Sequence, residues 1–194
     1  MSNLRVIGVD PSLSSTGIAY DNDQLDTIKT KPDAGDHRLQ AIYDAVYAAA
    51  GSGLWRDMNV LAIIEDLPVN AMSAGKTGQS QGVVRLALVA AGASIISLPP
   101  ATLKKYAVGR GNAKKKEMVE EWNKSFLDHQ TKDDNQVDAG FLREYGRQLR
   151  QAIAVPVHVW REWEDEIKNA PNMPPKFLEH IEVARRAAAG QQIV

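Results

Sequence analysis

The chain of 194 residues contains no cysteine. That absence excludes disulfides, thiolate metal sites and a thiol nucleophile together, and it is compatible with a reducing compartment. No apolar run approaches the ~18 residues a membrane-spanning helix needs. The opening MSNLRVIGVD reaches an acid too early for a secretory leader, so a soluble, cytoplasmic protein is expected. Charge of one sign is lacking as well: 23 Lys and Arg stand against 24 Asp and Glu, a formal net charge of −1. Coating of nucleic acid or anionic membrane by bulk positive charge is therefore excluded, whereas a local basic patch is not. The four histidines, His37, His129, His158 and His180, show no metal-ligand spacing. Any metal would be held by carboxylate oxygens, which points to Mg²⁺ or Mn²⁺.

What is present is globular material, with 44% hydrophobic and 24% charged residues, which rules out a mainly disordered chain. LRVIGVD (4–10) reads as a buried strand running into a turn, with further strands over 17–20 and 25–30. Asp36 can cap a helix whose Leu39, Ile42, Tyr43, Val46 and Tyr47 recur at helical spacing, with Gly51 ending it. MNVLAIIE (58–65) and ASIISL (93–98) are two more strands, separated by a Gly/Ser-rich loop over 66–80 and a helix ending near Gly92. Residues 101–150 read as two or three helices, broken at 108–112 and 128–133. Strands interleaved with helices indicate an α/β fold, and an antiparallel leading meander makes the sheet mixed. Residues 1–149 are expected to form the principal domain. Residues 150–194 carry helical patterns at 160–170 and 176–189 between prolines. They form an appended helical extension, since about 45 residues bury too little to fold alone. In it, Trp160, Trp163, Phe177 and Ile181 read as packing or dimer residues, core packing being the favoured reading.

Asp10 and Glu65 each end a hydrophobic strand, at the edge where open α/β sheets bind ligands. Asp134 and Asp138 stand i, i+4 on one helix face. Each has a bland reading: a turn or cap for Asp10, a solvated strand end for Glu65, helix caps for Asp133 and Asp134. Their joint placement favours a site in which divalent cations offset the mutual repulsion of the carboxylates.

The motifs VIGVDPSLSSTGIAY, LAIIED, GQSQGVV, LPPATLKKYAVGRGNAKKKEM and DDNQVDAGFL, in this order across residues 4–145, resemble the RuvC-type Holliday junction resolvases. The resemblance is more to the compact versions carried by bacteriophages than to the bacterial chromosomal enzyme. It implies a ribonuclease H-like fold with a mixed five-stranded sheet, and an endonuclease cutting four-way junctions with two Mg²⁺ or Mn²⁺ ions. Branched DNA is the implied partner, flaps and forks being further candidates, and no nucleotide cofactor is expected. The family's metal-binding acids fall on Asp10, Glu65 and Asp138. Its fourth acid commonly lies three residues before the last, where this chain has Asn135, so Asp134 is assigned, with Asp133 as the lesser substitute. The resemblance also puts Lys104 and Lys115 at positions tied to DNA binding and catalysis.

Lys104, Lys105, Arg110, Lys114, Lys115 and Lys116 form a basic run without an acid, interrupted by Gly109 and Gly111, which would let the backbone approach phosphates. A solvated helix face is the bland alternative. Lys76, in the 66–80 loop, is a second candidate DNA contact. The bacterial enzyme carries a stacking aromatic in this region, where this chain has Pro68 and no Phe, Tyr or Trp. That departure favours structure-selective over sequence-selective recognition. A two-fold homodimer would suit the two equivalent strands of a four-way junction. An actin/hexokinase-type ATPase is the competing enzyme class, because DPSLSSTG resembles a phosphate hairpin, but its second hairpin and Gly-Gly motif are missing. A non-catalytic branched-DNA binder is the remaining alternative.

Overall fold

β1 (Leu4–Asp10) is buried at every position because both sheet faces around it are covered, which is why it reads as an uninterrupted apolar run. In the computed structural model, which describes residues 4–51, 58–67 and 74–191, it is the central strand of a five-stranded sheet ordered β3-β2-β1-β4-β5. β2 (Ser15–Ala19) and β3 (Leu25–Lys29) continue from it as an antiparallel meander. On the other side β4 (Asn59–Glu65) and β5 (Ser94–Leu98) run parallel to it.

Side-chain parity sorts the two layers. Ile7 and Val9 of β1, Ile18 of β2, and Val60, Ala62 and Ile64 of β4 face α1 (His37–Gly51) and α2 (Ala74–Ala90). Leu4 of β1 and Leu61 and Ile63 of β4 face the opposite layer. That layer holds α3 (Pro100–Val108), α4 (Lys115–Ser125) and α5 (Asp134–Ala152). After α6 (Val157–Glu162) and α7 (Glu164–Asn169), α8 (Phe177–Ala188) returns to this layer. It buries Phe177, Ile181, Ala184 and Ala187 in the same cluster as β4, β5 and α5. Trp160 packs against that cluster half-buried, whereas Trp163 is 53% exposed and is not a core residue.

Residues 66–80 are not loop throughout: from Ala74 onward they are the start of α2. Gly and Ser at 75, 78 and 80 are weak helix formers, but buried Val84, Ala87 and Leu88 further along anchor this helix against the sheet. Pro68 lies outside the described residues.

At its first turns α5 meets the sheet backbone to backbone, across two strand glycines. A Cβ on Gly8 would stand 2.0 Å from the Ala139 carbonyl oxygen, and one on Gly17 2.1 Å from that of Asn135. Three arginines on the far half of α5 grip the β2–β3 turn. Arg143, fully buried, donates to the Tyr20 carbonyl at 3.0 Å and pairs with Glu144. Arg147 pairs with Asp21, Asp23 and Glu144, and Arg150 with Asp21 at 2.6 Å.

Trp122 locks α4 to α5. It is fully buried, stacks on Phe126 and meets Phe141 edge-on, and its Nε1 donates to the His129 carbonyl at 2.8 Å. Trp122→Ala should lower unfolding free energy by about 3–5 kcal/mol, read by urea denaturation.

Candidate functional site

The parity that places Leu4 of β1 against α5 continues through Val6 and Gly8 to Asp10. In β4 it carries Leu61 and Ile63 on to Glu65. Both carboxylates therefore leave the same edge of adjacent parallel strands on the α5 side, where Val9 lies beside Ile64. Gly8 and Gly17 bring the first turns of α5 down onto that edge, carrying Asp134 and Asp138 to meet them.

The electrostatics record this crowding. Asp10 is 8% exposed. Burial and then the Glu65 charge push its carboxyl well above the usual range, and the two side chains share a hydrogen bond. Burial, then Asp138, pushes Glu65 up to about 7. Burial, then Asp10, pushes Asp138 up to about 7. These groups titrate as a coupled set. Lys115, the first residue of α4, forms an ion pair through Nζ with Asp134 Oδ2. This contact raises the Lys115 pKa despite partial burial, and Asp138 and Asp10 add to it. Lys104 on α3 also acts on Glu65 and Asp138.

Asp133 has a different job. It is the N-cap of α5, its Oδ1 accepting from the Asn135 backbone at 3.0 Å and side chain at 2.9 Å, and its Oδ2 from Thr27 Oγ1 at 2.9 Å. With both oxygens engaged it anchors the helix, while Asp134 faces Lys115. Gln81 was missed in the sequence. Its Nε2 donates to the Glu65 carbonyl, fixing the end of β4 from α2. It stands inside the quoted GQSQGVV motif, but a neutral amide gives no charge signal.

The basic run divides in the structure. Arg110 pairs with Glu117, and Lys116 with Glu120 at 3.6 Å, both acids lying on α4. Lys114 is the α4 N-cap, and Lys105 lies on α3, its carbonyl receiving the Gly109 amide. The two glycines shape the turn between these helices. Gly109 caps α3 at φ 89°, and a Cβ on Gly111 would sit 2.9 Å from the Ala101 carbonyl oxygen. Lys76 lies on the first turn of α2, its side chain outside the described set.

Among the described residues no group of three or more acids or histidines stands in an arrangement that would hold a metal ion as it is. The donor chemistry nevertheless fits hard divalent cations: every candidate ligand is a carboxylate, and the charged forms of three are disfavoured by burial and by one another. Glu65 and Asp138 have folded pKa values above their unfolded ones. Their protonated forms thus contribute stability in full below about pH 4, which is lost as pH rises through about 7. Protein in EDTA should lose thermal stability over that window. Millimolar Mg²⁺ should raise the melting temperature at pH 8 and leave it unchanged at pH 5, as read by differential scanning fluorimetry.

An antiparallel β1–β2–β3 meander continued by parallel β4 and β5, with helices on both faces, defines a ribonuclease H-like fold, here with acids at the ends of β1 and β4. The model of the family described as crossover junction endodeoxyribonuclease RuvC matches residues 6–140, and the chain belongs to that family, whose members are DNA-cleaving hydrolases. The match ends within α5. The RuvC endonuclease of Zymomonas mobilis is 32% identical, the alignment covering 58% of this chain and 71% of that protein. That of Paracoccus denitrificans is 33% identical over 59% and 74%. Among solved structures, Thermus thermophilus RuvC superposes with a TM-score of 0.59 at 18% identity, covering 74% of this chain and 96% of that one. The same protein in complex with a Holliday junction substrate gives 0.57 at 20% identity, over 72% and 90%. At these identities the likeness is one of fold.

Proposed function

We propose that this chain resolves Holliday junctions, with Asp10, Glu65, Asp134 and Asp138 holding two Mg²⁺ or Mn²⁺ ions. The observation that carries the reading is the set of four acids at one sheet edge, flanked by Lys104 and Lys115. When bound, the cations would supply a hydroxide-like nucleophile and charge stabilisation for in-line displacement, leaving 5′-phosphate and 3′-hydroxyl ends. Lys115, paired with Asp134, lies beside the carboxylates and offers its ammonium to the scissile phosphate. Lys104 acts from the other side on Glu65 and Asp138. Lys76, Lys105, Arg110, Lys114 and Lys116 extend the contact along the DNA backbone, which they position without reading sequence. With no aromatic over 66–80, recognition rests on branched shape, so flaps and forks are also substrates.

A homodimer supplies two such edges for the two strands. Exposed apolar side chains on the helix pair α1–α2 support it, with Tyr47 at 44% and Leu86 at 60%. Residues 1–149 form the nuclease domain and 150–194 an extension packed onto it, acting in the cytoplasm.

A labelled four-way junction incubated with Mg²⁺ or Mn²⁺ is expected to acquire paired, symmetric nicks that DNA ligase reseals, beside slower cutting of flaps and forks. Binding of the junction without cutting under either metal overturns the catalytic reading. ATP hydrolysis in place of DNA cleavage would establish the competing class.

A further inference from the structure

The carboxyl edge of the sheet does not end at the acids. β3 runs back toward it, with Lys29 opposite Ser15 in register, so the segment after β3 emerges beside the loop that follows Asp10. There Lys29, Thr30, Lys31, His37 and Arg38 surround a recess of about 340 Å³ in which Asp33 is the one lining carboxylate. Lys29, Lys31 and His37 are exposed. Arg38 is held by neutral oxygens, its Nε donating to Thr30 Oγ1 at 3.1 Å and a terminal nitrogen to the Leu13 carbonyl at 2.7 Å. Among the described residues Lys29, Lys31 and Arg38 make no ion pair, unlike Arg110 and Lys116 across the cleft.

Position gives this patch its meaning. β3 and β5 are the two outer strands, about 19 Å apart at ordinary strand spacing. α3, with Lys104, follows β5, so cations flank the acids on both sides. Arg38 and Thr30 both bond the Leu13 carbonyl, which ties the patch to the turn only three residues beyond Asp10.

We infer that Lys29, Lys31 and Arg38 form a second phosphate-binding surface, which takes the DNA backbone of a junction arm after it has crossed the carboxylates from the α3–α4 side. This inference rests on the branched-DNA reading above. Phosphates are the ligand class because three cationic side chains, Lys29, Lys31 and Arg38, stand against the single carboxylate of Asp33, and the recess has no Phe, Tyr or Trp to stack a base. Neither lysine belongs to the motifs that carried the family resemblance. Only the strand register places them at the catalytic edge.

Fluorescence anisotropy in EDTA, with a labelled four-way junction titrated across salt concentrations, tests it. Lys29→Gln/Lys31→Gln should weaken binding about 10- to 30-fold near 0.15 M salt and reduce the log–log salt slope by about two, as expected for two lost phosphate contacts. Arg186→Gln removes one charge at the opposite sheet edge, where Arg186 contacts Gln191, and should leave both quantities unchanged. An unaltered slope and affinity in the double variant, beside a wild type that binds the junction, overturns this surface alone. Equal losses per charge in Arg186→Gln also overturn it, by reducing the effect to net charge. Failure of the wild type to prefer the junction over linear duplex overturns the branched-DNA reading and the surface with it.

Discussion

Asp10→Asn is expected to lower junction cleavage about a thousandfold or more, while junction binding stays within about twofold of wild type. Asp10 is the most buried of the four acids and adjoins Glu65 directly. Asparagine keeps its shape and removes one negative charge from the ligand set. Loss of several kcal/mol of transition-state stabilisation, at about 1.4 kcal/mol per decade, corresponds to that factor. The same substitution should stabilise the cation-free protein at pH 8, because the wild type must hold a charged carboxylate where burial and Glu65 oppose it. At pH 4 the two proteins should melt alike. Single-turnover cleavage and melting curves in EDTA read both effects. Cleavage by the variant within tenfold of wild type would remove Asp10 from the chemistry.

Gly8→Val is expected to destabilise the protein by more than about 5 kcal/mol, enough to remove most or all of a typical domain's stability. The added carbons would enter the space of the Ala139 carbonyl oxygen, 2.0 Å from an ideal Cβ, and of the Arg143 amide nitrogen at 2.6 Å. Both are backbone atoms of a helix that cannot rotate away. Relief requires α5 to lift from β1, which also withdraws Asp138 from Asp10. The expected result is insoluble or molten protein, read by expression and near-ultraviolet circular dichroism. A cooperative unfolding transition at the wild-type midpoint would show that α5 is not held by this contact. Gly8 thus links the packing of the fold to the geometry of the site.

The strands were legible because their burial leaves a direct trace. β1 coincides with residues 4–10, and β4 and β5 begin one residue later than their apolar runs. β2 begins two residues and ends one residue earlier than its expected 17–20, since STGIA carries no alternation to fix a boundary. Residues 160–170 suggest one helix by composition, but the chain breaks at Trp163 into α6 and α7. At the site, the acids at the ends of β1 and β4 announce themselves as charge at the end of an apolar run. The division of labour between Asp133 and Asp134 does not. It depends on Thr27, more than a hundred residues away, reaching Asp133. Nor could the sequence show that Arg110, in the turn before α4, and Lys116, on α4 itself, are both answered by acids of that helix, or that Lys29 and Lys31 lie beside the carboxyl edge. These facts reside in helix phase and strand register.

The arginine grip of α5 on the β2–β3 turn has a further consequence. Arg143 is shielded from solvent and Arg147 and Arg150 are largely so, and of their partners Asp21 and Glu144 are mostly buried too. Dissolved salt screens such pairs far less than it screens exposed lysines facing a phosphate chain. On the proposed DNA contacts, ionic strength should act on binding and leave the architecture intact. Salt should then release DNA from a protein that stays folded, ready to bind again on dilution.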